Sequence, residues 1–139
     1  MDGSKITGMV LAGGSGKRLR PITKNIPKTL VEISEGRCIL DNLLDSFYKF
    51  GVKKVVLLIG YKGDKIKERY GSLWKDIEIE YSEEDALLGT FGAVRNAVLN
   101  KNITGGVILT NGDIITDLDL SKMVDGAEYN VTVLVMPMR

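Results

Sequence analysis

The chain has 139 residues, of which 44% are hydrophobic, and this is enough for a single domain with a buried core over residues 1–139. Its net charge of +1 gives no reason to expect a nucleic-acid or membrane partner. The sequence has no histidine and one cysteine, which excludes histidine-dependent nucleophilic catalysis, histidine-ligated zinc and a disulfide framework.

The first segment of the chain carries no apolar signal core, since it reads Met-Asp-Gly-Ser-Lys. No apolar run approaches the roughly 20 residues of a membrane-spanning helix. We therefore expect a cytoplasmic protein. Cys38 stands beside Ile39 and Leu40, which is typical of a small core residue rather than a reactive thiol.

A glycine-rich stretch follows the first predicted strand, at residues 8–12. Glycine allows positive φ and lets a ligand approach the main chain, and nearby cations add charge for an anion. The stretch therefore predicts a phosphate-binding loop at the carboxyl end of a strand. Its candidate nucleotide-binding residues are Leu11, Ala12, Gly13, Gly14, Ser15, Gly16 and Lys17, and Arg18 comes next.

Two familiar phosphate loops do not fit this stretch. The Walker pattern fails because Leu11 stands where its first glycine belongs and Arg18 replaces the hydroxyl residue. The dinucleotide fingerprint fails because Leu19 occupies the position of its third glycine. A flexible turn with incidental cations is the alternative that spacing alone leaves open.

The next elements alternate between extended and helical patterns. Residues 28–33 are expected to be extended, and residues 34–37 to form a turn. Apolar residues at helical spacing predict an amphipathic helix over residues 39–50, closed by Gly51. The β-branched and aliphatic run at residues 54–59 predicts a strand covered on both faces.

The pattern continues to the end of the sequence. A short helix containing Ile66 and Tyr70 precedes a half-exposed strand near a sheet edge at residues 77–81. The further expected elements are a solvated acidic loop at 82–88, a turn at 89–93, a helix at 94–100, a buried strand at 106–111, a helix at 120–124 and a strand at 131–136. This alternation predicts a three-layer α/β/α Rossmann-like fold with a mainly parallel sheet.

Candidate site residues follow several of the predicted strands. In such sheets ligands bind outside the carboxyl ends of the strands, so residues far apart in sequence can share one edge. Asp113 comes directly after the strand at 106–111, where a carboxylate suits Mg²⁺ bridging triphosphate oxygens. Gly89 and Thr90 lie in a second glycine-containing turn, and Lys28 follows the rigid residue Pro27.

The stretch from Leu11 to Thr23, followed by Pro27-Lys28-Thr29-Leu30, resembles the signature of sugar-1-phosphate nucleotidylyltransferases. That signature reads L-A-G-G-x-G-T-R-L-x-P-x-T, and P-K-P-L follows it. Lys17 stands here for the usual threonine, and Thr29 for the second proline. The resemblance implies transfer of a nucleoside monophosphate from a nucleoside triphosphate to a sugar 1-phosphate, with release of pyrophosphate.

The resemblance also implies roles for individual residues. Arg18 would bind the departing pyrophosphate, and Lys28 would offset charge at the α-phosphate, so these two are the catalytic candidates. Asp113 would bind Mg²⁺, and the glycine loop with Gly89 and Thr90 would contact the nucleotide. Phe91 stands where the family has alanine in this second turn.

The resemblance covers only the N-terminal, nucleotide-binding part of the family, so the fold is expected to be truncated. Residues 111–120 look most like mannose-1-phosphate guanylyltransferases, which favours GTP and mannose 1-phosphate or a related sugar. A non-catalytic nucleotide-binding or regulatory subunit is the alternative, and an NAD-type binder is a weaker one. A second copy of the chain or a partner chain would then supply the remaining half.

Overall fold

The computed structural model describes residues 2–83, 89–117 and 119–125. The strands of these ranges are β1 (Ile6–Ala12), β2 (Glu32–Ser34), β3 (Arg37–Cys38), β4 (Lys54–Ile59), β5 (Leu73–Trp74), β6 (Ile77–Glu83) and β7 (Gly106–Asn111). The α-helices are α1 (Ile39–Phe50), α2 (Gly63–Tyr70), α3 (Gly89–Asn100) and α4 (Leu120–Asp125). Short 3₁₀ helices cover Gly3–Lys5, Lys17–Leu19, Ile22–Lys24 and Lys28–Leu30.

The main sheet has five strands in the order β5-β6-β4-β1-β7. Its strands are parallel except for β5, which pairs antiparallel with β6. The chain moves from β1 to β4 and β6, and then returns to the other side of β1 as β7. This reversal places the carboxyl ends of β1 and β7 side by side, with Leu11 opposite Asn111. Ligands of open α/β sheets bind at such a point.

Helices cover both faces of the sheet, which confirms the predicted three-layer α/β arrangement. On one face, α1 and α2 pack against β1, β4 and β6 through the largest apolar cluster. The other face is covered by α3, whose Ala93 and Ala97 contact Met9, Val56 and Leu58. Because alternate residues of β1 and β4 enter different clusters, both faces of these central strands are buried.

Several predicted elements are confirmed at or near their predicted bounds. Helix α1 covers the predicted residues, and Gly51 follows it with a φ of 89°, the left-handed conformation of a glycine cap. Strand β4 also matches its prediction, and Cys38 is 1% exposed in the core. The predicted helix at 120–124 is α4, and Asp119 caps it by accepting hydrogen bonds from the Ser121 amide and hydroxyl.

Other predicted bounds were wrong. Residues 28–30 form a 3₁₀ helix instead of extended chain, because the Leu30 and Val31 amides bond back to the carbonyls of Pro27 and Lys28. The turn predicted at 89–93 is the first part of α3, which therefore begins five residues before its predicted start at Val94.

The predictions for the sheet edges were right in part. Strand β6 is half-exposed and lies near an edge as predicted, second from it because the unpredicted strand β5 pairs with it. It continues through Glu83, two residues into the predicted acidic loop. Strand β7 is not the buried strand that its apolar sequence predicts, since only Ile108 is buried among its residues. In the described part of the chain β7 pairs on one side alone, with β1. The predicted strand at 131–136, and Glu84 and Asp85 of the acidic loop, lie outside the described residues.

No helix among residues 2–83, 89–117 and 119–125 is long and apolar enough to cross a membrane. The α-helices of these ranges have 6 to 12 residues.

Helix α1 packs closely against strand β1. A Cβ on Gly8 would lie 2.9 Å from the Phe47 ring and 3.0 Å from Val55 Cγ2. Glycine at this position thus lets α1 approach the strands that carry the site.

A buried carboxylate joins α1 to α2. Asp41 accepts hydrogen bonds from the Cys38 amide at 2.9 Å, the Tyr70 hydroxyl at 2.8 Å and Arg69 Nη2 at 2.5 Å. Burial alone would raise the pKa of Asp41, but the hydrogen bonds from Arg69, the Cys38 amide and Tyr70 outweigh it and hold the pKa below its ordinary value. The charged carboxylate is therefore the form that stabilises this contact.

We expect Asp41→Asn to lower the free energy of unfolding by about 2 kcal/mol at pH 7, because Arg69 and Tyr70 lose a charged acceptor. A lowered carboxyl pKa stabilises the fold above its unfolded-state value and loses that contribution as pH falls through the folded-state value. The difference between wild type and variant should therefore shrink below about pH 4. Urea unfolding at pH 7 and pH 3.5 tests this, with exposed Asp76→Asn as the matched control. A pH-independent difference would contradict it.

Candidate functional site

A cavity of about 610 Å³ opens at the carboxyl ends of β1 and β7. It is formed by the glycine loop after β1, the 3₁₀ helix after Pro27, the first turn of α3 and the turn after β7. Its lining residues are Leu11, Ala12, Gly13, Gly14, Gly16, Lys17, Arg18, Leu19, Lys28, Thr29, Thr90, Asn111 and Asp113. Segments distant in sequence therefore meet where the topology favours a ligand.

The glycine loop is held at both of its ends. The Gly13 carbonyl accepts a hydrogen bond from the Tyr61 amide at 3.4 Å. Gly16 has a φ of 62°, and its carbonyl accepts hydrogen bonds from the Thr23 hydroxyl at 2.5 Å and the Leu19 amide at 3.0 Å. The Tyr61 hydroxyl in turn donates to the carbonyl of Thr23 at 3.0 Å. These bonds shape the loop before any ligand arrives.

Gly14 differs from its neighbours because the fold does not require a glycine there. A Cβ at this position would meet no atom within 4 Å, and Gly14 is absent from the positive-φ residues. The residue lines the cavity and is exposed. A glycine that packing does not need, at the wall of a cavity, indicates close approach of a ligand to the main chain.

We expect Gly14→Ala to leave the melting temperature unchanged or slightly higher, because the new methyl group meets open space and alanine loses less entropy on folding. The same methyl group should weaken nucleoside triphosphate binding by about tenfold through steric conflict with the ligand. Thermal unfolding and calorimetric titration measure the two effects on one preparation. Unchanged triphosphate affinity would mean that no ligand lies against Gly14.

Cationic side chains line one part of the cavity. Lys17 and Arg18 belong to the 3₁₀ helix after Gly16, and both are exposed. Lys28 lines the cavity from the 3₁₀ helix after Pro27. The whole chain carries a net charge of only +1, so this concentration of positive charge is local. It suits an anion with several oxygen atoms, and the Arg18 guanidinium can bind two of them at once.

Lys28 and Asp113 form an ion pair across the cavity. Lys28 Nζ lies 2.8 Å from Asp113 Oδ2, and the two side chains are 37% and 42% exposed. Ion pairs exposed to this degree contribute at most about 1 kcal/mol to stability, so a ligand can separate the partners at little cost. The sequence predicted both residues as site residues but not that they contact each other.

Gly112 fixes the backbone that carries Asp113. Its amide donates to the Leu11 carbonyl at 2.8 Å, which ties the turn after β7 to the end of β1. A Cβ on Gly112 would lie 2.5 Å from Thr29 Cγ2 and 2.8 Å from the Leu11 carbonyl oxygen. Only glycine fits between these two groups, and this close contact keeps Asp113 at the cavity.

Most of the candidate residues named from the sequence line the cavity, but two do not. Ser15 and Gly89 are outside its lining, although each adjoins a residue that belongs to it. Sequence reasoning missed Leu19, Thr29 and Asn111 as lining residues. Each of them lies within two positions of a candidate residue, so closeness in sequence to a candidate could have identified them. The individual roles of the candidates remain predictions.

Comparison with known proteins gives a consistent set of relatives. Residues 7–139 match the model of a family described as nucleotidyl transferase. The chain is 36% identical over 115 residues to D-glycero-alpha-D-manno-heptose 1-phosphate guanylyltransferase of Campylobacter jejuni, covering 83% of this chain and 51% of the relative. It is 32% identical to UTP--glucose-1-phosphate uridylyltransferase AglF of Haloferax volcanii, covering 84% and 46%.

A solved structure resembles the fold at a similar level. The crystal structure of HddC from Yersinia pseudotuberculosis superposes with a TM-score of 0.73 at 32% identity, covering 88% of this chain and 54% of that protein. HddC has also been solved in complex with GMP-PN, with the same TM-score. The chain thus spans about half the length of these three proteins.

Proposed function

Since this chain belongs to the nucleotidyl transferase family, we propose that it transfers a nucleoside monophosphate from a nucleoside triphosphate to a sugar 1-phosphate. The observation that carries this proposal is the meeting of Arg18, Lys28 and Asp113 around one cavity beside the glycine loop. Proteins of about twice this length with 32–36% identity are named as enzymes of this reaction type. The activity of the chain itself is a proposal because it spans only part of their length.

In the proposed reaction, a phosphate oxygen of the sugar 1-phosphate attacks the α-phosphorus of the nucleotide. The bond from the α-phosphorus to the oxygen bridging to the β-phosphorus breaks, and pyrophosphate leaves. The acceptor supplies the nucleophile, so the protein needs no nucleophilic side chain, consistent with a sequence without histidine. Its contribution is to position the reactants and offset the developing negative charge.

The cations suit two parts of this task. Arg18, with Lys17 next to it, would hold the β- and γ-phosphates, which depart as pyrophosphate. Lys28 would contact oxygens of the α-phosphate once its ion pair with Asp113 opens. The anchored glycine loop would keep main-chain amides at the triphosphate, which reduces the reorganisation needed during the reaction.

Asp113 fits a magnesium ion that arrives with the triphosphate. The described residues contain no cluster of three or more His, Cys, Asp or Glu side chains that could hold a metal on its own. Mg²⁺ commonly binds one or two carboxylates together with phosphate oxygens and water, and a single carboxylate at the cavity provides such a ligand. When bound, the ion would neutralise charge on the phosphate oxygens.

Guanine is the base that we propose, with mannose 1-phosphate or a closely related sugar as the acceptor. The similarity to a D-manno-heptose 1-phosphate guanylyltransferase supports guanine and a manno-configured sugar, and the similarity to HddC, which was solved with GMP-PN, supports guanine. The mannose-1-phosphate guanyltransferase of Yarrowia lipolytica supports mannose 1-phosphate; it is 35% identical over 132 residues, covering 88% of this chain and 34% of that protein. The uridylyltransferase relative makes UTP the comparison nucleotide for the test.

The test is the formation of labelled nucleotide sugar from α-labelled GTP, UTP, ATP or CTP with Mg²⁺ and a panel of sugar 1-phosphates. We expect the highest rate with GTP and a mannose- or heptose-type acceptor. Exchange of labelled pyrophosphate into the triphosphate, in the presence of the nucleotide sugar, detects the reverse reaction. No product with any pair, from chain shown to be folded by circular dichroism, would contradict the proposal.

A further inference from the structure

One buried hydroxyl group at the cavity has no partner. Thr29 is 3% exposed, and its Oγ1 is the one buried side-chain nitrogen or oxygen without a hydrogen bond in the part of the chain that is described. Buried polar atoms are nearly always hydrogen-bonded in folded proteins, because removing them from water is otherwise unfavourable. Thr23, which is also buried, follows this rule by donating to the Gly16 carbonyl.

The position of Thr29 gives the unpaired hydroxyl a chemical context. It follows Lys28 in the 3₁₀ helix, and it lines the same cavity as Asp113. Its methyl group packs against Gly112, since Thr29 Cγ2 lies 2.5 Å from the place of a Cβ on that residue. The side chain therefore lies between the backbone segments that present the cation and the carboxylate.

We propose that the Thr29 hydroxyl donates a hydrogen bond to a phosphate oxygen of the bound nucleotide. Thr29 lines the cavity, and rotation about χ1 moves its hydroxyl among the staggered positions without any movement of the backbone. Phosphate oxygens are charged acceptors, and no described residue accepts a hydrogen bond from this hydroxyl. Thr29 is then a nucleotide-contacting residue beside Lys28, an inference that depends on the proposed nucleotidyl transfer function.

The test compares Thr29→Val with Thr29→Ser, using calorimetric titration with GTP and Mg²⁺ and, separately, with tripolyphosphate and Mg²⁺. Valine preserves the shape and removes the hydroxyl, so its Kd for both ligands should rise about tenfold. Serine keeps the hydroxyl, and its Kd should stay within about threefold of wild type. Thr104→Val is the matched control, because Thr104 is exposed at the opposite end of the strands.

The melting temperature of the free protein is the second measurement. Because Thr29→Val removes an unpaired buried hydroxyl, we expect the free variant to melt at the wild-type temperature or above it. Weaker binding without lower stability is a combination that a purely structural role would not produce. A variant that fails to fold, or that is clearly less stable, would show that the hydroxyl already has a partner in the free protein and would overturn the inference.

The binding results separate this inference from the function on which it depends. If wild type binds both ligands and Thr29→Val binds them equally well, the hydroxyl contact is wrong while the nucleotide site stands. Weakened binding of GTP but not of tripolyphosphate would place the contact at the nucleoside and overturn the phosphate assignment. If folded wild type binds neither ligand, the proposed function itself fails, and this inference fails with it.

Discussion

Replacing Arg18 with alanine should lower kcat/KM for nucleotidyl transfer by about a hundredfold or more. The guanidinium can donate two charge-assisted hydrogen bonds to the departing pyrophosphate, each contributing about 1.5 to 3 kcal/mol. A loss of about 3 kcal/mol corresponds to slightly more than a hundredfold in rate. The fold should be unaffected, because Arg18 is exposed and has no ion-pair partner among the described residues.

Two further variants make the Arg18 experiment specific. Arg20→Ala removes an exposed cation two positions away that does not line the cavity, so its kcat/KM should stay within about threefold of wild type. Arg18→Lys keeps the charge but cannot donate two parallel hydrogen bonds, so its kcat/KM should lie between those of wild type and Arg18→Ala. Equal losses for Arg18→Ala and Arg20→Ala would indicate a general effect of positive charge and contradict the assigned contact.

The parts of the fold that the sequence predicted well are those in which local pattern and tertiary contact agree. In α1, Leu40, Leu43, Leu44 and Phe47 recur at helical spacing and face one cluster. The residues of β4 after Lys54 are all apolar, and they are buried on both faces of the sheet. Strand β7 has a similarly apolar sequence, yet Val107 and Leu109 are 40% and 41% exposed. Exposure of a strand depends on its neighbours in the sheet, which its own sequence does not contain.

At the candidate site, too, short motifs were predicted well, whereas contacts between residues far apart in sequence were not. The glycines, cations and Asp113 could be named from short motifs, and the parallel topology implied a common edge for them. The contact of Lys28 with Asp113 joins residues 85 positions apart, and no motif encodes such a distance. Position 112 likewise requires glycine because Thr29 and Leu11, which lie on other segments, leave no room for a Cβ. The local sequence does not show these contacts.

Replacing Asp113 with asparagine should raise the Mg²⁺ concentration for half-maximal activity by about tenfold, and should lower kcat at saturating Mg²⁺. The change removes the negative charge from the carboxylate that we propose binds Mg²⁺ while keeping its shape, so coordination of the ion should weaken. It also frees Lys28 from its 2.8 Å ion pair. That release should cost about 1 kcal/mol of stability at most, because the pair is substantially exposed.

The Mg²⁺ titration distinguishes metal binding from a role limited to pairing with Lys28. Asp117→Asn makes the same substitution at an exposed residue outside the cavity, and it should leave the Mg²⁺ dependence unchanged. Lys28→Met breaks the ion pair from the other side, so it should lower kcat without raising the Mg²⁺ requirement. If Asp113→Asn kept the wild-type Mg²⁺ dependence while matching the kcat of Lys28→Met, Asp113 would orient the lysine instead of binding the metal.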